Sequence, residues 1–291
     1  MRPRGCEGAM DLSDLLKKVT PEDVKTLRNL GVRFDPKTKS LIGGPEIEAV
    51  AQESIWRKCA NDYEHFIIDS RLVTTLDNQQ KWECGSCGHV VADFVGRPCR
   101  KCGGLLSLRD PVQPFPAHRY GPRYVIRILK TEPKLAIKKS RRLMATELMC
   151  AYALTLMMFR KGALCVFQSD KEDKANDNVR RVYGMWNRLP MWMKRRRPCN
   201  PTKGGDMIEG YFEIPGNYAR LKAIPSGPEQ IREMGPSFYF CDEAAFHQNA
   251  GATYAAVNQA IEAGCQAVYV STAAAGFFAG LTNDVLEEVA A

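Results

Sequence analysis

The stretch Lys138-Lys139-Ser140-Arg141-Arg142-Leu143-Met144-Ala145-Thr146 joins a short apolar segment, Leu135 to Ile137, to a long one, Glu147 to Lys161. The first reads as a strand and the second as a helix. The chain must therefore turn from strand to helix across a basic loop. The first N–H groups of a helix have no intrahelical partner, and with the helix dipole they form an anion site. The usual phosphate-binding loop reads G-x-x-x-x-G-K-[ST]. Laid over Lys139 to Thr146, only Thr146 matches; Met144 stands at the second glycine, Ala145 at the lysine, and Lys139 opens the frame. An ordinary solvated surface loop has the same basic character, so both readings stand at this point.

If the loop holds phosphate, Thr146 brings a hydroxyl within reach of magnesium. Lys139, Arg141 and Arg142 then oppose the charge developing on a transferred phosphoryl group, arginine as a planar fork and lysine as a flexible point charge. The following segment is apolar nearly all round, as a helix buried against a sheet must be, and Gly162 is a suitable stop.

About a hundred residues on, Ser237-Phe238-Tyr239-Phe240-Cys241-Asp242-Glu243-Ala244-Ala245-Phe246 reads as an apolar strand closed by two acids. Consecutive strand residues point to opposite sides, so the pair could divide two tasks. Asp242 would hold magnesium through its water shell and Glu243 would polarise the attacking water. The alternative is a pair of acids at a helix N-terminus, favoured by the dipole. A further strand candidate, Gln266 to Val270, runs into Ser271-Thr272-Ala273-Ala274-Ala275-Gly276. Hydroxyls at the carboxyl end of a parallel strand lie where open α/β sheets bind ligands. They could sense a terminal phosphate; a plain helix cap is the other reading.

Cys84-Gly85-Ser86-Cys87-Gly88 and Cys99-Arg100-Lys101-Cys102-Gly103 form two C-x-x-C-G knuckles. Two such turns can converge four thiolates on one zinc ion, the glycines easing the tight backbone. A closed four-cysteine site is structural, and His89 finds no vacancy in it. A redox pair is the alternative for a single knuckle. Arg97, Arg100 and Lys101 permit nucleic-acid contact, but a stabilising insertion or a protein-docking knob fits the residues equally. The other seven of the 11 cysteines are scattered singly in mostly apolar settings, as reduced core cysteines are. This favours a cytosolic setting.

A chain of 291 residues, 45% hydrophobic, can bury a substantial core and carry a smaller module, and a net charge of +8 suggests a polyanionic partner. No secretory signal is visible at the start, and the longest apolar stretch, Leu148 to Phe159, is too short to cross a bilayer. Thr20-Pro21-Glu22-Asp23 predicts a helix start, running to Leu30; Leu41 to Pro45 reads as a turn and Glu46 to Arg57 as a helix. Lys194-Arg195-Arg196-Arg197 is the strongest charge run, read as a solvated face or a phosphate-backbone contact.

The loop, the Cys-Asp-Glu-Ala-Ala-Phe strand end and the Val-Ser-Thr-Ala turn, in this order, resemble the ATPase motor of the large terminase subunit of tailed bacteriophages. Matching style also appears in Pro114-Phe115, in Ser169 to Ala175 leading to a helical Val179 to Trp186 closed by Leu189 to Trp192, and in Ala223 to Pro228. The resemblance covers roughly residues 55 to 285. It implies an α/β P-loop NTPase core with a mostly parallel central sheet flanked by helices, carrying a zinc-ribbon insertion at 80–108. A small helical N-terminal region would occupy 1–58 and the ATPase domain 59–291.

The implied activity is ATP hydrolysis coupled to translocation of double-stranded DNA into a procapsid. The implied cofactors are ATP and Mg2+, to which the cysteine knuckles add a structural Zn2+. Some family members place the loop lysine early, which maps phosphate binding onto Lys139 and the family's loop arginine onto Arg141. Arg142 falls where many members carry glutamine, and Tyr120 near the adenine-reading position, with Gly121 where glutamine is expected. The nucleotide would lie along Lys139, Ser140, Arg141, Arg142, Leu143, Met144, Ala145 and Thr146, with Ser271 and Thr272 coupling hydrolysis to movement. Implied partners are DNA, a small terminase subunit and the portal protein. The chain would form a ring on the portal, be a monomer in dilute solution, and work in the host cytoplasm with no membrane. Large terminases also carry a C-terminal nuclease, expected to be absent from a sequence that stops at Ala291. Another helicase-like translocase, or a zinc-ribbon DNA-binding module with an inactive nucleotide fold, are the competing classes.

Overall fold

The computed structural model describes residues 33–35, 40–42, 45–76, 81–92, 98–116, 120–139, 144–199, 202–203, 206–247, 249–272 and 276–282. The helix expected over Thr20 to Leu30 and the alanines after Thr272 lie outside these residues, as do Ser140, Arg141, Arg142 and Leu143. Strands β1 (Arg33–Asp35) and β2 (Ser40–Ile42) pair antiparallel, so Leu41 and Ile42, expected in a turn, instead extend a hairpin in which Arg33 faces Ile42. Helix α1 (Pro45–Asn61) starts on a proline, whose fixed φ suits the first turn and whose missing N–H costs nothing there. It runs past residue 58, the boundary expected for the N-terminal region. Ile55, Trp56 and Cys59 pack into the same core as the central sheet. A π-helical turn (His65–Asp69) follows.

Strand β3 (Thr74–Leu76) pairs antiparallel with β7 (Val112–Pro114), and this two-stranded neck carries a small three-stranded sheet. In that sheet β4 (Trp82–Cys84) lies between β5 (Val90–Val91) and β6 (Leu106–Leu108). The three-stranded sheet is therefore spliced into the chain between the two strands of the neck. The stretch Pro111 to Pro122, rich in proline, carries the chain through β7 into helix α2 (Tyr120–Ile128).

Two short strands, β10 (Thr202–Lys203) and β11 (Asp206–Met207), pair antiparallel apart from the central sheet, which has six strands in the order β12-β13-β9-β14-β15-β8. These are β8 (Lys134–Lys138), β9 (Leu164–Gln168), β12 (Tyr211–Ile214), β13 (Ala219–Ile224), β14 (Phe238–Asp242) and β15 (Gln266–Ser271). Only the β12–β13 pair is antiparallel. The mixed α/β class with a mostly parallel sheet is as expected. Helices α3 (Ala145–Phe159) and α4 (Glu172–Asn187) cover one face, packing on Phe238, Phe240, Val268 and Val270. Helix α6 (Glu229–Met234), which follows the short α5 (Met191–Arg196), and helix α7 (Ala250–Glu262) cover the other, on Tyr239, Cys241, Ala267 and Tyr269. Alternate residues of β14 thus serve opposite cores, and burying each large side chain contributes about 1.5–3 kcal/mol.

Helix α3 begins two residues earlier than Glu147, at Ala145, directly at the end of the loop. Helix α4 begins at Glu172, well before Val179, because Glu172 and Asp173 in its first turn complement the dipole. Helix α3 ends at Phe159, before the expected Lys161, because Arg160 is already extended at φ −95°, ψ 115°; Gly162, left-handed at φ 73°, instead makes the turn beyond it, its N–H donating to the Asn217 carbonyl at 2.8 Å.

Candidate active site

Parallel pairing puts the carboxyl ends of β8, β15 and β14 on one edge, with β15 between the other two. Lys139 extends β8 by one residue, its N–H donating to the Ser271 carbonyl at 2.8 Å. From there its ammonium donates to Thr146 Oγ1 at 2.9 Å and to Asp242 Oδ1 at 3.0 Å, and lies 3.6 Å from Glu243 Oε1. Thr146 sits in the first turn of α3, its Oγ1 3.1 and 3.2 Å from the two Asp242 oxygens. Asp242 is 8% exposed. So buried a carboxylate needs partners, and it has a cation, a hydroxyl, the Glu243 N–H at 3.1 Å and the Asn178 amide at 3.4 Å.

Two backbone conformations make this arrangement. Met144, at the second-glycine position of the loop frame, is left-handed at φ 57°, ψ 18° and precedes the first helical residue. Its carbonyl accepts the Leu148 N–H at 2.9 Å, which starts the helix ladder. Glu243 is also left-handed, at φ 53°, ψ 41°. The division of Asp242 and Glu243 was expected from strand alternation; in the structure the strand ends at Asp242 and the left-handed turn redirects Glu243. Each such residue costs roughly 1–2 kcal/mol relative to a right-handed one. Non-glycine residues held so cluster at functional sites.

Ser271 joins the two acidic and basic elements. Its hydroxyl accepts the Ala245 N–H at 3.2 Å and lies 3.5 Å from Glu243 Oε2, while its carbonyl holds Lys139. Thr272 follows, half-buried, with no polar partner among the described residues. Tyr120 opens α2; its side chain, like those of Ser140, Arg141, Arg142 and Leu143, is outside the described part. Ala145 is buried as the first residue of α3.

Three site neighbours were not foreseen. Asn178, 3% exposed on α4, steadies Asp242. Beside Thr146, Glu147 pairs with Arg181 of α4 at 3.1 Å, and burial raises its carboxyl above the usual range despite that arginine. No local pattern marks Asn178 or Arg181, because their roles exist only once α4 packs on α3. The run Lys194 to Arg197 is not simply a solvated face. Arg196 pairs with Glu53 and lies over Trp56; Arg197 caps α3 by donating to the Met158 carbonyl at 3.0 Å. Arg195 is exposed, with no partner among the described residues.

In the insertion, the Gly88 and Gly103 N–H groups each close a turn onto the carbonyls of Cys84 and Cys99 at 2.8 Å. Both glycines are left-handed, at φ 67° and 74°, as the knuckles require. At Gly104 a Cβ would lie 2.9 Å from Cys84 Sγ, so only glycine lets the second knuckle approach the first. The four sulfurs of Cys84, Cys87, Cys99 and Cys102 all lie within 4.8 Å of one another, with Cys84–Cys102 at 3.5 Å and Cys87–Cys99 at 3.7 Å. Tetrahedral zinc with Zn–S near 2.3 Å sets sulfurs about 3.8 Å apart. The donor set therefore fits zinc. Backbone N–H groups of Cys87 and Ser86 lower the Cys84 thiol, whereas the Cys102 thiol, against its backbone hydrogen bond from Gly104, is pushed up by the neighbouring sulfurs of Cys87 and Cys84; a central cation would relieve that mutual repulsion.

No family model matches the sequence, and no curated protein matches it. Among the described residues, no helix is long and apolar enough to cross a membrane. Part of the chain is similar to solved phage structures. A variant of the large terminase ATPase domain of Thermus phage P74-26 matches with TM-score 0.41 and 16% identity over 55% of this chain and 67% of that one. The large terminase of bacteriophage HK97 matches with TM-score 0.48 and 13% identity over 60% of this chain and 38% of its own length. The ADP-bound large terminase of a thermophilic bacteriophage matches with TM-score 0.37 and 12% identity, over 49% of this chain and 34% of that one. The chain thus spans only part of each of these proteins, and each is a structure this chain is similar to.

Proposed function

We propose that this chain is a P-loop ATPase motor of a viral terminase, coupling ATP hydrolysis to translocation of double-stranded DNA into a procapsid. The observation that carries the reading is the meeting of Lys139, Thr146 and Asp242 beside Glu243 at one sheet edge. A lysine at the start of the loop frame is thereby brought to the threonine at its end. The irregular loop can supply the same ammonium and hydroxyl as the usual pattern.

Lys139 would leave Asp242 to bind terminal phosphate oxygens, with Arg141 and Arg142 adding charge and the first N–H groups of α3 cradling the anion. Thr146 and Asp242 would hold Mg2+, which supplies charge neutralisation on the phosphates. Glu243 would take a proton from the attacking water as its oxygen bonds to the γ-phosphorus and ADP leaves. Ser271, already in reach of Glu243, would feel the change and pass it to Thr272 and the segment beyond. Tyr120 would stack on the base.

The proposed organisation is an ATPase domain over 59–291 with a zinc ribbon at 80–108, the region 1–58 packing partly into the same core. Cys84, Cys87, Cys99 and Cys102 would hold the zinc. The proposed setting is the host cytoplasm, transiently on the portal protein, with the small terminase subunit and neighbouring copies as partners. The exposed Arg195 is the residue of its basic run best placed to reach a neighbour.

The test is ATP hydrolysis with and without double-stranded DNA across a protein concentration series. Magnesium-dependent turnover that rises with concentration supports a motor completed by its neighbours. DNA binding should fall steeply with salt as counterions are released. Absence of any ATP binding would instead favour a zinc-ribbon module on an inactive fold.

A further inference from the structure

On the sheet face opposite α3, the side-chain atoms Thr253 Oγ1 and Tyr269 Oη are buried with no hydrogen-bond partner among the described residues, and His247 Nδ1 has no well-aligned one, although the Asp242 backbone carbonyl acts on its imidazole. Thr253, Tyr269 and His247 are 3%, 4% and 8% exposed. They come from three elements: the turn after Glu243, helix α7 and strand β15. All three line one small, partly open pocket of about 10 Å³, together with Cys241, Ala244 and Phe278. Buried polar groups are nearly always paired, so two orphans and a poorly served imidazole in one place call for an explanation. Elsewhere on the same face the rule holds. Tyr239 donates to Gln168, and Gln168 donates in turn to the Pro225 and Gly227 carbonyls.

We infer that this pocket is a binding site for a single structural water, which ties His247, Thr253 and Tyr269 together behind the Asp242–Glu243 strand end. The volume corresponds to roughly one water, and buried waters typically make about three hydrogen bonds. Water can donate and accept, and both hydroxyls can do either, so the set is satisfiable whichever imidazole tautomer is present. His247 closes the turn that begins at the left-handed Glu243, with its Nε2 3.5 Å from Cys241 Sγ. Tyr269 lies two residues before Ser271. The bound water would link the two strand ends that carry the acids and the hydroxyl, independently of whether a nucleotide binds beside them.

The test is a high-resolution crystal structure of the full chain together with the melting temperatures of Thr253→Val and Tyr269→Phe. A water peak in contact with His247 Nδ1, Thr253 Oγ1 and Tyr269 Oη is expected. Each variant should melt lower by roughly 2–4 °C, the shift for loss of about one hydrogen bond in a chain of this size. The two substitutions remove single polar atoms with little change of shape, so folding is retained. If the groups are unpaired, replacing them with apolar atoms relieves a desolvation penalty. A pocket without the peak, in maps that show ordered water elsewhere, overturns the inference. So does melting of both variants at or above the parental temperature.

Discussion

Lys139 and Asp242, 103 residues apart in sequence, form an ion pair at 3.0 Å with both side chains 11% exposed, and Thr146 closes the triangle. The ammonium thus bridges the hydroxyl and the carboxylate that, in the proposed function, would hold Mg2+. Lys139→Met should lose nucleotide affinity by at least roughly tenfold, while Mn2+ binding without nucleotide becomes stronger as Asp242 loses its resident cation. Fluorescent-nucleotide titration and metal titration read the two effects. Unchanged nucleotide affinity would shift phosphate binding to Arg141 or Arg142.

Glu243→Gln keeps the side-chain shape but removes the proton acceptor. ATP should still bind, and single-turnover hydrolysis should fall by roughly 10²–10⁴-fold. Hydrolysis at the parental rate would remove Glu243 from the role of base.

The cysteine cluster should hold one zinc per chain, measured by elemental analysis of protein purified without chelator. Cys84→Ser together with Cys102→Ser should release it and loosen the three-stranded sheet β4 to β6. The central sheet should stay folded, because a closed metal site mainly stabilises its own module. Protein lacking zinc from the outset would defeat the assignment.

Met144 carries a left-handed backbone without the freedom of glycine. Met144→Gly should leave stability within about 1 kcal/mol, relief of strain offsetting lost packing and the entropy of glycine. Met144→Val should cost more, about 1–2 kcal/mol, because a β-branched side chain tolerates positive φ least. Urea unfolding of both variants separates the cases.

Glu64, 8% exposed, accepts from Arg127 at 2.9 and 3.0 Å and from Arg123 at 2.7 Å. The Arg127 hydrogen bond foremost, with that of Arg123, holds its carboxyl down at about 2 from an ordinary 4.5. A depressed carboxylate stabilises the fold fully above its unfolded value and loses that contribution as pH falls through the folded one. Stability assigned to Glu64 should thus fade between pH 4.5 and about 2, and Glu64→Gln should flatten that limb while costing roughly 1.5–3 kcal/mol at neutral pH. Denaturant midpoints measured across this range check both statements.

The buried strands and α3 were legible from sequence because local composition dictates them: β14 and β15 are continuous apolar runs, and nearly every residue of α3 must leave water. The cysteine knuckles were equally legible, since spacing and the following glycines define each turn locally. The amino-acid sequence by itself also marked Lys139, Thr146, Asp242 and Glu243 as candidates by type and order. Only the tertiary structure decided that Lys139 reaches Thr146 and Asp242, because that contact depends on β15 lying between β8 and β14 in a parallel sheet. It also decided the roles of Asn178, Arg181 and Arg197, whose partners lie 64, 34 and 39 residues away. The turn at Glu243 was hidden for a related reason: a left-handed acid has no sequence mark. Its strain persists only because the surrounding contacts with Asp242, Ser271 and Lys139 hold it in place.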